Sequence, residues 1–143
     1  MARQISLATL GVALLVGLAV TPVMAHHSFA AEFDANKPVT LKGTVTKMDW
    51  VNPHSWIHID VKNPDGTVTA WMIEGGTPNT LFRRGFTKES LKAGTPITVE
   101  GFRAKNGAFR ANGRDLVLAD GKRLLLGSSG TGAPADGKDA SEK

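Results

Sequence analysis

The sequence predicts an all-β domain, a small five-stranded antiparallel barrel with one short helix between the third and fourth strands. Apolar and polar residues alternate with a period of two in successive segments, as they do in half-buried strands. Strong turn signals such as Asn63-Pro64-Asp65-Gly66 and Asn106-Gly107 separate these segments. A helical segment follows the third strand, and this order is what an OB-type barrel requires. Another small antiparallel barrel or a sandwich with the same hairpins is the alternative.

The boundaries of the elements follow from local signals. The first strand begins at Pro38 and continues to about Trp50. The Asn52-Pro53 turn then interrupts it, because the nitrogen of Pro53 cannot donate a hydrogen bond to a neighbouring strand. Thr77 is the expected N-cap of the helix, Pro78 its first residue, and Gly85 its C-terminal stop. The third strand is apolar on both faces, so its sequence does not indicate which face points into the barrel. The predicted strands cover 38–50, 56–62, 67–74, 96–104 and 108–118, with a last short strand at 123–126, and the helix covers 78–84.

The chain begins with the features of a secretory signal peptide over residues 1–25. Arg3 precedes an apolar run from Ile5 to Val20, and the small-residue pattern Val23-Met24-Ala25 follows. The run is short for a bilayer span, and nothing later is apolar enough to form one. The chain has no cysteine, so disulfides and a lipidated cysteine are excluded. We therefore expect a periplasmic or secreted bacterial protein without a transmembrane segment after cleavage.

The mature chain is expected to have three parts. Residues 26–37 form an N-terminal arm that lies along the barrel, and residues 38–126 form the barrel. Residues 127–143 consist of Gly, Ser, Ala and alternating charges and are expected to be disordered.

Cleavage after Ala25 would leave His26 as the first residue, followed by His27. A terminal histidine offers an amine with an ordinary pKa of roughly 7.7 to 8.0 and an imidazole, and both are nitrogen donors suited to copper. This arrangement resembles the histidine brace of exported copper proteins. His54 in the turn and His58 on the outer face of the second strand are the candidate partners. On one extended strand they would lie roughly 13 Å apart, so at most one of them is expected to join the terminus.

A role without metal is the competing interpretation of these histidines. His26 and His27 would then be a solvated terminus, and His54 would stabilise its turn. Asp49, Asp60 and Glu74 are the nearby carboxylates that could orient an imidazole.

A second functional hypothesis is a metal-free envelope module that binds an anionic or polymeric ligand. Tryptophans could form a stacking face, although packing is expected for two of the three. Basic residues on the helical segment and on the fourth and fifth strands could bind an anionic lipid or polysaccharide; export argues against nucleic acid. The sequence contains no recognisable catalytic motif, which favours a binding protein over an enzyme. The tryptophans are Trp50, Trp56 and Trp71, and the basic residues are Arg83, Arg84, Lys88, Lys92, Arg103, Lys105, Arg110 and Arg114.

Several short motifs resemble a family of small exported bacterial proteins classed as a domain of unknown function. The resemblance extends from His26 to Leu126, and its most distinctive part is the Asn-Pro-His turn. It implies a location in the bacterial envelope and no particular activity. The motifs are His26-His27-Ser28-Phe29-Ala30, Leu41-Lys42-Gly43-Thr44-Val45, Trp50-Val51-Asn52-Pro53-His54 and Gly94-Thr95-Pro96-Ile97-Thr98-Val99-Glu100-Gly101.

Overall fold

A computed structural model describes residues 28–127 of the chain. The predicted signal peptide, His26, His27 and residues 128–143 of the predicted tail lie outside the described residues. The elements are α1 (Phe29–Glu32), β1 (Phe33–Asp49), β2 (Trp56–Lys62), β3 (Val68–Glu74), α2 (Pro78–Arg83), β4 (Pro96–Ala104), β5 (Arg110–Leu118) and β6 (Arg123–Leu125).

The strands close into a ring. β1 pairs with both β2 and β4, β2 pairs with β3, and β4 pairs with β5, all antiparallel. A short parallel pairing between β3 and β5, from Met72 opposite Arg110 to Glu74 opposite Asn112, completes the ring. This connectivity, with α2 between β3 and β4, is that of an OB-type barrel and confirms the predicted fold class. β6 adds a short sixth strand at the side of β5.

The helix α2 begins and ends where the sequence predicts, within one residue. The Thr77 hydroxyl accepts a hydrogen bond from the Thr80 backbone N–H at 3.1 Å, and Pro78 occupies the first turn. Gly85 has a φ of 89°, a conformation that glycine adopts without a steric penalty. Leu81 on α2 is fully buried in the core of the barrel.

The prediction that the first strand starts at Pro38 is wrong. β1 starts at Phe33, immediately after the single turn of α1, and Phe33 pairs with Ala104 of β4. The register shifts between Phe33 and Pro38, so the regular alternation is broken there and the extra strand residues carry no period-two signal.

Two apolar clusters hold the fold together. The main one fills the barrel with inward-facing residues of every long strand, including Val45, Ile57 and Val99. Trp71 belongs to it and Trp50 packs against it, as predicted for two of the three tryptophans. The inward face of β3 is thus the one that bears Trp71 and Ile73. Among residues 28–127, no helix has the length and apolar character needed to cross a bilayer.

The second cluster attaches the N-terminal segment to the barrel. Phe29 of α1 is 5% exposed, and its ring lies 5.4 Å from that of Phe102 and 5.9 Å from that of Phe33. The backbone N–H of Lys105 donates to the Glu32 carbonyl at 2.9 Å, and the Lys105 Nζ donates to the Ala30 carbonyl at 2.6 Å. The first described residues are therefore fixed on the outside of β4.

Candidate functional site

The two downstream histidines lie in different surroundings. His54 is buried in the loop before β2, and its Nδ1 lies 3.8 Å from Oε1 of Glu74. His58 lies on the outer side of β2, as predicted, and its Nε2 lies 2.8 Å from Oδ2 of Asp49. Two of the three carboxylates that the sequence indicated thus each lie beside one histidine.

Backbone hydrogen bonds determine the position of His54. The Asn52-Pro53 peptide bond is cis. The Ser55 N–H donates to the Gly76 carbonyl at 3.0 Å, and the Gly75 N–H donates to the Ser55 carbonyl at 2.8 Å. These two bonds join the loop before β2 to the end of β3, which places His54 beside Glu74.

Glu74 belongs to a line of four side chains that crosses the sheet. Trp56 is opposite Glu74, Glu74 is opposite Asn112, and Asn112 is opposite Phe102. Because residues directly opposite one another share a face, the four side chains lie side by side on the outside of β2, β3, β5 and β4. We call Trp56, Glu74, Asn112 and Phe102 the cross-strand row. Phe29 contacts its Phe102 end.

The centre of the cross-strand row is polar and buried. Glu74 is 7% exposed and Asn112 is 3% exposed, and the Asn112 Nδ2 donates to Oε1 of Glu74 at 3.2 Å. Burial raises the pKa of Glu74, while the nearby His54 and the hydrogen bond from Asn112 act in the opposite direction. Oδ1 of Asn112 is buried and has no hydrogen-bond donor among the described residues. The row therefore places a buried acceptor oxygen without a donor among the described residues next to the Glu74 carboxylate.

Helix α1 reaches the same face through an ion pair. The Glu32 carboxylate lies 3.0 Å from Arg110, and the Arg110 guanidinium lies 5.0 Å from the centre of the Trp56 ring. The charges of Glu32 and Arg110 also act on the pKa of Glu74, in opposite directions. Residues 29–32 are thus connected to both ends of the cross-strand row.

The described residues do not form a metal site by themselves. Between Ser28 and Gly127, no three His, Cys, Asp or Glu side chains are grouped so that they could hold a metal ion. Any site at His54 would need donors from outside this range, and His26 and His27 are the predicted ones. Both lie outside the described residues.

Two of the predicted basic residues, both on β5, contact carboxylates. Arg110 pairs with Glu32, and Arg114 pairs with Glu100 and Asp115, each at 2.8 Å. On the helical side, Arg84 donates to the carbonyls of Leu125 and Gly127. An open cleft of about 350 Å³ lies elsewhere, and its lining residues, which include Lys42, Asp60 and Lys62, contain no histidine.

Sequence reasoning missed Asn112 and did not connect Arg110 to the site. Both reach Glu74 through the parallel pairing of β3 with β5, two strands that are far apart in the chain. The local signal for Asn112 was an asparagine within a predicted strand.

Comparison with known proteins yields a family and structural likenesses. The model of a family of unknown function, DUF6152, matches residues 14–113. No curated protein matches the chain. Among solved structures, the chain is similar to the dimeric N-terminal domain of the PriB protein from Thermoanaerobacter tencongensis, with 24% identity and a TM-score of 0.41, over 59% of this chain and 97% of that one.

Proposed function

Because the chain belongs to DUF6152, a family of unknown function, we propose a function from its own side chains. We propose that it is an exported periplasmic protein that binds copper through the processed N-terminus at His26 and the imidazole of His54. His27 is a further candidate donor. The observation that carries the proposal is the attachment of residues 29–32 to the cross-strand row, which has His54 beside its Glu74.

The proposal requires residues 26 and 27 to span the distance from Ser28 to His54. Neighbouring strands are spaced about 4.8 Å apart, so the two spacings from Phe102 to Glu74 amount to about 10 Å. His26 precedes Ser28 by two residues, and two extended residues span up to about 7 Å. The side chain of His26 adds further reach. The proposal therefore requires His54 to lie within the combined length of these two residues and the His26 side chain from Ser28.

The donor set suits copper(II), which prefers nitrogen ligands in a near-planar arrangement. The α-amine and the imidazole of His26 would supply two nitrogens, and His54 would supply a third. A ligand histidine usually has its second ring nitrogen near a carboxylate or carbonyl, and Glu74 is in that position for His54. When bound, copper would add a redox-active centre, but no property of the described residues assigns a reaction to it.

His54 is a better candidate than His58. His58 contacts Asp49 at the end of β1, and none of the contacts of residues 29–32 described above involves either of them. His54 instead lies beside the buried Glu74. His58 therefore serves as the control position.

The experiment compares the mature protein that begins at His26 with a form that carries one extra alanine before His26. We expect Cu(II) affinity, measured by competition with a chelator at neutral pH, to fall at least tenfold on extension. His54→Ala should produce a similar loss, and His58→Ala should bind like the parent protein. Equal affinity of the parent and extended forms would refute the proposal. N-terminal sequencing of protein from the periplasmic fraction tests cleavage after Ala25 separately.

A further inference from the structure

The aromatic ring of Phe109 lies in an unusual position for an apolar side chain. It is 52% exposed at the start of β5, yet it packs edge-on against the buried ring of Trp71, with 5.4 Å between the ring centres and 67° between the planes. The Met72 N–H donates to the Phe109 carbonyl at 3.0 Å. The exposed ring thus rests on a rigid base and would lose little conformational freedom on binding a ligand.

Arg103 lies next to both aromatic rings. Its guanidinium lies 5.4 Å from the centre of the Trp71 ring and 5.7 Å from that of Phe109, and its Nη2 donates to the Gly107 carbonyl at 3.0 Å. Its Nε is buried without a hydrogen-bond acceptor among the described residues. Arg110 and Arg114 each contact a carboxylate, whereas within residues 28–127 Arg103 has aromatic and backbone partners only. The charge of Arg103 is therefore available to an anionic ligand.

We propose that Phe109, Trp71 and Arg103 form a binding platform for a carboxylated sugar polymer. The exposed face of Phe109 would pack against a sugar ring, and the planar guanidinium of Arg103 would pair with the carboxylate of the same or the next sugar. Oligosaccharides and oligonucleotides are both ligands of OB-type barrels. The predicted export signal favours the sugar polymer, because it would separate this chain from cellular nucleic acid.

This platform is independent of the copper proposal. It uses none of the four histidines, and the metal-free protein is expected to bind the polymer as well as the copper-loaded one. The two proposals share only the predicted export, so failure of copper binding would leave the platform standing, and failure of polymer binding would leave the copper site standing.

Calorimetric titration of the mature protein with a galacturonate oligomer tests the inference. A neutral maltose oligomer and an oligothymidylate of similar length are the comparison ligands. We expect binding of the galacturonate oligomer only. Phe109→Ala should weaken it about tenfold, the loss typical of one stacking contact. Arg103→Gln should weaken it similarly.

Phe82→Ala is the matched control, because Phe82 is 65% exposed on α2 and its removal should leave affinity unchanged. Circular dichroism checks that each variant is folded. Absence of binding by the parent protein, equal affinity of Phe109→Ala and parent, or tighter binding of the oligothymidylate would each overturn the inference.

Discussion

Truncation of Phe29 should release the N-terminal segment while the barrel stays folded. The ring is almost completely buried, but only in the small second cluster on the outside of β4. Burial of a phenylalanine side chain contributes about 1.5–3 kcal/mol, and favourable ring contacts add about 0.5–1.5 kcal/mol. The two contributions add to about 2–4.5 kcal/mol, and because alanine keeps the β-carbon we expect Phe29→Ala to weaken docking of the segment by the lower part of this range, about 2–3 kcal/mol. The Glu32–Arg110 pair and the Lys105 hydrogen bonds remain in this variant.

Amide hydrogen exchange measures this change directly. The Lys105 N–H donates to the Glu32 carbonyl, so its protection reports whether the segment is docked. A loss of about 2–3 kcal/mol in the free energy of docking makes the exchange of the Lys105 N–H faster by about 30- to 150-fold. The Val45 N–H, which donates to the Thr95 carbonyl inside the barrel, should keep its protection. Unchanged exchange at Lys105 would refute Phe29 as the anchor, and equal acceleration at Val45 would refute independent docking. Phe82→Ala is again the control.

Three further predictions concern the barrel and the site. Gly101→Ala should destabilise the protein by at least about 2 kcal/mol in urea unfolding, because its Cβ would lie 2.1 Å from the Asn112 carbonyl oxygen; an unchanged midpoint would contradict this. Burial raises the pKa of Glu74, so the stability linked to its protonated form is present at low pH and lost as pH rises through that raised pKa. Glu74→Gln cannot ionise and should gain stability relative to the parent as pH rises from 4 to 8, whereas a constant difference would show no such linkage. Hydrogen bonds from Lys47 and His58 lower the pKa of Asp49, so stability from this exposed carboxylate is lost as pH falls through the lowered pKa. Asp49→Asn should cost less than about 1 kcal/mol at neutral pH, and a larger loss would show that the pair is structurally important.

The features that the sequence predicted correctly depend on residues close together in the chain. Alternation of apolar and polar residues, together with turn signals such as Asn106-Gly107, located the long strands, and Thr77, Pro78 and Gly85 located α2. The start of β1 was missed because the irregular register between Phe33 and Pro38 breaks that alternation. For the candidate site, the sequence indicated His54, His58 and the carboxylates near them. It did not show which carboxylate lies beside which histidine, because that depends on the path of the loop after Asn52-Pro53.

By itself, the sequence determined a barrel of antiparallel strands with a helix after its third strand, because strand alternation, turn residues and helix caps each depend on residues close together in the chain. Only the tertiary structure decided which side chains form the cross-strand row. Its four members come from four strands, and Glu74 meets Asn112 through a parallel pairing that no local pattern encodes. The burial of Glu74 is also a property of the assembled barrel. Residues of neighbouring strands and loops cover Glu74 on that face. The burial of its carboxylate distinguishes the surroundings of His54 from those of His58, which contacts the more exposed Asp49.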